Sequence, residues 1–381
     1  MTHFSNAAAA THHATDSETL DCIVIGAGQA GLAAGHHLAR RGLSFEILEA
    51  SAAVGGSWPS YYDSLTLFSP ARYSSLPGLR FPGDPDRYPT RDEVVAYLRD
   101  YARTVGLPVR TGARVTRIDE PSTDAPPPDE TSQAAGLFRV ETDDGRVRWS
   151  RSVVVATGSF HRPHVPDIPG RESFGGTVLH SSAYRNPAPF VGQRMIVVGA
   201  GNSAVQIAAE LAGVADVRLA TRAPVRFVPQ RFAGRDIHFW FRVLGVDSFP
   251  SGRWREGEPA AAVLDTGRYA AALAAGRPAR MPMFTAFAPG GVVGADGAHV
   301  AAESVIFATG FRPSVEFLRG TAAVDETGRP LQRLGVSTTV RGLYYVGLSG
   351  QRSLTSATLR RAGPDAAAVV RDLARHVRLR R

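Results

Sequence analysis

Two glycine-rich turns, Gly26-Ala27-Gly28-Gln29-Ala30-Gly31 and Gly199-Ala200-Gly201-Asn202-Ser203-Ala204, each follow a short apolar run with the character of a β-strand. The runs are Asp21-Cys22-Ile23-Val24-Ile25 and Met195-Ile196-Val197-Val198. Glycine has a physical use at such a place. Without a Cβ the backbone turns tightly and approaches a pyrophosphate, whose charge rests on the free N–H groups and positive dipole end of the helix that begins in the turn. One such turn is weak evidence, but two in a strand–turn–helix setting predict two dinucleotide sites.

The residues after each second strand divide the labour. In the first unit the strand Phe45-Glu46-Ile47-Leu48 ends at Glu49, 23 residues after Gly26. A carboxylate there accepts hydrogen bonds from a ribose diol, which suits an adenosine without a 2′-phosphate, as in FAD. In the second unit the strand Val217-Arg218-Leu219-Ala220 ends at Thr221-Arg222, with Arg222 23 residues after Gly199 and no acid. A guanidinium there suits bidentate phosphate binding, so NADPH is the expected second nucleotide. A solvated surface arginine is the plainer alternative.

These units must be positioned by a chain of 381 residues, long enough for two sizeable domains. The expected fold class is α/β, with two Rossmann-like dinucleotide-binding domains and the NADP domain inserted in a discontinuous FAD domain. The expected division is a disordered tail over 1–17, the FAD domain over 18–162 and 306–381, and the NADP domain over 163–305. The near repeats Val153-Val154-Val155-Ala156-Thr157-Gly158 and Val305-Ile306-Phe307-Ala308-Thr309-Gly310 mark the crossings between them. Thr90-Arg91-Asp92-Glu93 reads as a capping box ahead of a helix with an apolar face through Val94, Tyr97, Leu98 and Tyr101. Val115 to Ile118 and Leu137 to Trp149 read as antiparallel strands around a polar loop over 120–136. The aromatic-rich stretch Phe227 to Phe287, with Phe232, His238, Phe239, Trp240, Phe241, Trp254 and Phe284, either lines a substrate entrance or packs as core.

Composition narrows the classes. With 44% hydrophobic and 20% charged residues the chain reads as an ordinary soluble protein, without the run of about 20 apolar residues that crosses a bilayer. No secretory signal is evident, so a cytoplasmic location is expected. Cys22 is the only cysteine, which rules out an internal disulfide and any CxxC redox pair. All 43 basic residues are arginine and the net charge is +8. They are scattered except for the stretch Arg371 to Arg381, read as the basic finish of a last helix rather than a nucleic-acid contact. The expected partners are a small-molecule substrate and O₂, with no membrane span and no nucleic acid.

At this point the motifs resemble the class B flavin-dependent monooxygenases. Phe174 to Tyr184 has the form FxGxxxHxxxY of the flavin-containing monooxygenase branch, and Phe307-Ala308-Thr309-Gly310-Phe311 is similar to the FATGF element of that group. Tyr62-Asp63-Ser64-Leu65-Thr66-Leu67, Tyr88-Pro89-Thr90 and Tyr344-Tyr345-Val346-Gly347 resemble YUCCA-like and bacterial members. Asp63 to Ala71 and Ser356-Ala357-Thr358-Leu359 resemble the ArsO-like members associated with arsenic resistance.

The resemblance implies FAD held by Gly26, Gly28, Gln29, Ala30, Gly31, Glu49, Gly56, Ser57, Trp58, Leu67, Val115 and Gly347. It implies NADPH held by Gly199, Gly201, Asn202, Ser203, Ala204, Thr221 and Arg222, with His180 and Tyr184 supporting the linker and the nucleotide rather than serving as catalysts. No metal site is expected. It further implies a monooxygenase that inserts one oxygen atom from O₂ into a small soft nucleophile (S, N or trivalent As) through a C4a-(hydro)peroxyflavin. In animal-type members an asparagine near the flavin edge bonds the nicotinamide; here Phe68 aligns with it and has no hydrogen to donate. Ser69, Ser74 and Ser75 are the expected substitutes at that edge. Phe68 also raises the alternative of an NADPH oxidase or quinone reductase without oxygen insertion.

Overall fold

The computed structural model describes residues 19–121, 136–247, 249–250 and 262–379. The expected tail over 1–17, most of the loop over 120–136, and Trp254 lie outside the described residues.

Short, uninterrupted β-branched runs build two sheets. Cys22–Ile25 and Val153–Val155 are buried throughout, as strands covered on both faces must be, and they pair in parallel at the centre of the larger sheet. That sheet has seven strands in the order Gln332–Arg333, Val336–Ser337, Leu343–Tyr345, Val153–Val155, Cys22–Ile25, Phe45–Leu48 and Val109–Arg110. The second sheet has five parallel strands in the order Ala279–Pro282, Asp216–Thr221, Arg194–Val198, Ser304–Phe307 and Thr177–His180. Val115–Asp119, Phe138–Thr142 and Val147–Ser150 form the expected antiparallel set.

Helices bury their apolar stripes on these sheets. Arg91–Val105 begins with the capping box read from the sequence: the Thr90 side chain accepts from the Glu93 N–H, and Glu93 reaches back to the Thr90 N–H. It ends at Gly106 in the left-handed region (φ 69°). Val94, Tyr97, Leu98 and Tyr101 join Leu32 and Leu38 of the helix Gln29–Ala39 and Val370 of the helix Leu359–Arg378 in one core. Cys22 is fully buried there, and burial pushes its thiol up to about 12, so it is inert. Among the described residues no helix is long and apolar enough to cross a membrane.

The expected division at 305/306 needs correction, because it cuts the strand Ser304–Phe307. Both ladders of that strand lie in the five-stranded sheet: Phe307 is registered against Val198 on one side and His180 on the other. The chain then runs antiparallel to Arg162–Pro163 along Phe311–Arg312 and rejoins the seven-stranded sheet only at Gln332. The two Ala-Thr-Gly strands are both interior strands, each paired on both sides within its own sheet.

Four histidines, His36, His37, His180 and His238, are held below their ordinary value of 6.5, in each case first by burial; His37 falls to about 4. The unfolded chain therefore binds more protons than the folded one just below pH 6.5. This part of the stability is complete above pH 6.5 and is lost as pH falls through the folded values. The melting temperature should drop on acidification from pH 7 toward 4, and His37→Gln should flatten that slope in scanning calorimetry.

Candidate cofactor and active site

The first glycine turn is built for close approach. Gly26 adopts φ 101°, and a Cβ there would lie 2.8 Å from the Ala156 carbonyl oxygen; at Gly31 it would lie 1.8 Å from the Gly26 carbonyl oxygen. Gly28 stands at the N-cap of Gln29–Ala39 with no side-chain cap and no acid in the first turn, which leaves the first N–H groups to an anion. Glu49 is buried, and its carboxylate accepts from the Ala27 N–H (2.7 Å) and the Ser51 N–H (2.9 Å). A carboxylate has further acceptor capacity for ribose hydroxyls. Gly26, Gly28, Glu49, Gly56, Val115 and Gly347 line one cavity of about 330 Å³.

The second turn repeats the design in the five-stranded sheet. Gly199 has φ 135°, and a Cβ there would meet the Ala308 carbonyl oxygen at 2.4 Å. Gly201 is the N-cap of Asn202–Leu211, again without a side-chain cap or a first-turn acid. The Asn202 Oδ1 is buried with no hydrogen-bond partner among the described residues. Gly199, Gly201, Asn202, Ser203, Thr221 and Arg222 line a second cavity of about 1090 Å³. Arg226 is also on its wall, and among the described residues neither Arg222 nor Arg226 has a carboxylate partner. Two guanidiniums with no carboxylate partner among the described residues, one just past the end of Asp216–Thr221 and the other four residues on, fit a doubly charged phosphate.

The two cavities share walls. Gln29, Ser57, Phe160 and Ala357 line both. The Trp58 Nε1–H donates to Gln29 Oε1 (2.8 Å), and Gln29 Nε2 donates to the Ala357 carbonyl (3.2 Å), a residue held at φ 75°. Leu67, Phe68 and Ser69 stand on the wall of the larger cavity, as does Phe284 of the aromatic-rich stretch. Of the remaining aromatic residues in that stretch, Phe232 is exposed, while His238 is buried away from the cavity wall.

Several expected contacts are placed elsewhere. Ser74 and Ser75 are not on either wall: the Ser74 hydroxyl is fully buried and donates to the Pro70 carbonyl (3.0 Å), while Ser75 accepts from the Phe81 N–H (2.9 Å). Both are committed to shaping the loop, which leaves Ser69, 3.0 Å from the Ser74 hydroxyl, as the serine facing the cavity. Tyr184 is 1% exposed and donates to Glu210 Oε2 (2.8 Å), with its ring near those of Tyr62 and Phe190, so it packs the core and lies on neither cavity wall. Burial raises its phenol well above 10. His180 is also off both walls. Its Nδ1 accepts from the Ser182 N–H (3.1 Å), so the Nε2–H donates to the Gly310 carbonyl (3.0 Å) and holds the Thr309-Gly310 turn that does line the larger cavity. Gly31 and Ala204 act through packing rather than contact. Arg226 and Phe160 are further wall residues that were not among the expected ones. Arg226 had a signal, lying four residues past Arg222; Phe160 had none, because only the fold brings it to the junction.

The residues fit two dinucleotides: two uncapped helix starts, each beneath glycines whose Cβ positions are filled by backbone, open on cavities with a common wall. Such a pair of sites suits an oxidoreductase that binds two dinucleotide cofactors. The chain belongs to the pyridine nucleotide-disulphide oxidoreductase family, whose family model matches residues 23–231. It resembles the flavin-containing monooxygenase from Stenotrophomonas maltophilia, with a TM-score of 0.80 and 34% identity over 94% of this chain and 99% of that one. Uncharacterized oxidoreductase CzcO-like from Geobacillus kaustophilus is 34% identical over 94% of this chain and 99% of that protein. Indole-3-pyruvate monooxygenase YUCCA1 of Oryza sativa subsp. japonica is 40% identical over 50% of this chain and 44% of that protein. The chain is thus an enzyme of the flavin-dependent monooxygenase group.

Proposed function

We propose that the protein uses NADPH and O₂ to transfer one oxygen atom to a small soft nucleophile, with S, N or trivalent As as the accepting atom. The observation that carries this reading is the shared wall of Gln29, Ser57, Phe160 and Ala357, which lets a ligand in the smaller cavity meet one in the larger. FAD, when bound, supplies the two-electron relay between the nicotinamide and O₂. The protein supplies placement. The turn at Gly28 and the Glu49 carboxylate would hold the adenosine diphosphate of FAD; the turn at Gly201 with Arg222 and Arg226 would hold NADPH. Trp58, Phe68, Phe160 and Leu354 give the larger cavity an apolar wall, with Phe160 and Leu354 still exposed to solvent, and a bound nucleotide would complete the shielding of the reacting groups from water. His180 stays neutral and moves no proton in this scheme; burial lowers its pKa, and the Gly310 carbonyl opposes that in part.

The second reading, an NADPH oxidase or quinone reductase, is favoured by Phe68, which puts a ring without a donor on the cavity wall. Turnover under ¹⁸O₂ decides between them. A thioether, a tertiary amine, a trivalent arsenical and indole-3-pyruvate form the panel, and ¹⁸O is expected in at least one product. All O₂ recovered as H₂O₂, with quinones reduced and no label in any compound, would establish the second reading. Phe68→Asn exchanges the water-excluding ring for an amide donor on the wall, and the donor, worth about 1.5 kcal/mol, should outweigh the lost ring and raise labelled product per NADPH.

A further inference from the structure

The segment Gln230 to Asp247 belongs to the inserted part of the chain, yet three of its polar side chains, Gln230, Asp236 and Asp247, reach Phe68, Tyr88 and Arg360 of the other part. His238 is fully buried, and its Nδ1 lies 2.6 Å from Asp236 Oδ1. The second oxygen of Asp236 accepts from the Tyr88 hydroxyl (2.5 Å) and from Gln230 Nε2 (2.9 Å). The same Gln230 nitrogen donates to the backbone carbonyl of Phe68 (2.9 Å). The imidazole lies near-parallel to two rings of the first part, Phe68 (6.1 Å, 19°) and Tyr73 (6.0 Å, 26°). Further along, Asp247 pairs with Arg360 (3.0 Å), whose guanidinium sits over the Phe241 ring. Phe68, the residue that replaces an expected donor on the cavity wall, is thus held at both its carbonyl and its ring by side chains joined through one carboxylate.

We propose that the Asp236–His238 pair is a positioning element that fixes Phe68 in the wall of the larger cavity, and so sets how much reducing power reaches organic product rather than H₂O₂. The pair is built for one protonation state. The Nδ1–H donates to Asp236, and the His238 Nε2 is left buried with no hydrogen-bond partner among the described residues. Burial would raise the Asp236 carboxyl, but the hydrogen bonds from His238, Tyr88 and Gln230 hold it at about 2. Around His238, burial and Arg360 disfavour the imidazolium while Asp236 and Asp247 favour it; Tyr88 and Tyr73 complete the titratable groups facing the pair. A neutral imidazole with a fixed tautomer keeps its ring plane fixed, and with it the ring it faces. Displacing Phe68 would admit water beside the reacting groups, which costs product without blocking nucleotide binding.

The consequence for turnover rests on the monooxygenase reading, whereas the positioning itself does not. The test therefore pairs ¹⁹F NMR of cofactor-free protein carrying 4-fluorophenylalanine at position 68 with product and H₂O₂ yields of the FAD-loaded enzyme. His238→Ala should shift and broaden the ¹⁹F resonance of residue 68. In the loaded enzyme it should lower product per NADPH about 10-fold, the scale of a misplaced wall group, with KM for NADPH changed less than about 2-fold. His238→Phe, which keeps a ring between Phe68 and Tyr73, should recover most of both signals. Asp236→Asn, which keeps the shape and an acceptor oxygen, should fall between them if His238→Ala folds poorly. In a Phe68→Leu background His238→Ala should add little, because both changes remove one interaction. An unmoved ¹⁹F resonance in His238→Ala, or an equal loss of product with and without Phe68, would overturn the proposal. Wild-type enzyme that yields no oxygenated product would overturn the monooxygenase reading instead, and the ¹⁹F result would still decide the positioning.

Discussion

Gly28→Val protein is expected to emerge folded and colourless. A Cβ at Gly28 meets nothing closer than the Gly56 Cα at 3.7 Å, an ordinary contact, and the backbone there (φ −79°, ψ −174°) is extended and open to any residue. The backbone therefore has room for a Cβ. The cavity does not, because Gly28 lines it where the uncapped helix start would receive the FAD pyrophosphate. Losing two charge-assisted N–H contacts at about 1.5 to 3 kcal/mol each weakens FAD by roughly 10² to 10⁴-fold. Visible absorbance of the purified protein and a fluorescence titration of the apoprotein with FAD measure it, alongside the melting temperature. A variant that keeps a full complement of FAD moves the flavin elsewhere. Gly31→Val makes the contrast: its Cβ would lie 1.8 Å from the Gly26 carbonyl oxygen, so that variant should fail to fold rather than fold empty.

Arg222→Ala should erase most of the preference for NADPH over NADH. The side chain lines the larger cavity and has no carboxylate partner among the described residues. Its charge is therefore free to meet a phosphate, and one such contact is worth about 1.5 to 3 kcal/mol, or roughly a 10- to 150-fold ratio in kcat/KM. Arg226 stands on the same wall, so a residual preference should remain in Arg222→Ala and vanish when Arg226→Ala is added. An unchanged ratio in the double variant would remove both arginines from the nucleotide site.

Both variants act on residues that were legible before any coordinates, and the reason is local. A glycine turn and the residue that ends the next strand lie 23 residues apart, with the first strand directly before the turn, so spacing alone brings Gly26 to Glu49 and Gly199 to Arg222. The capping box at Thr90 and the burial of Cys22 are local in the same sense. Function at the level of a two-nucleotide oxidoreductase needs little more.

What the tertiary structure decided is everything set by partners far along the chain. Whether Ser304–Phe307 joins one sheet or the other depends on its ladders to Arg194–Val198 and Thr177–His180, and no feature of the strand itself states that choice. Tyr184 and His180 sit in a motif that promises nucleotide contact, but Glu210 and the Gly310 carbonyl claim their polar atoms and turn them into supports. Phe68 reads from sequence as a missing donor, while the fold shows a ring held from 162 and 170 residues away by Gln230 and His238. Short-range pattern follows from backbone geometry, which neighbours impose. Which polar atom is satisfied by which partner depends on closing long loops, so only the folded chain carries that information.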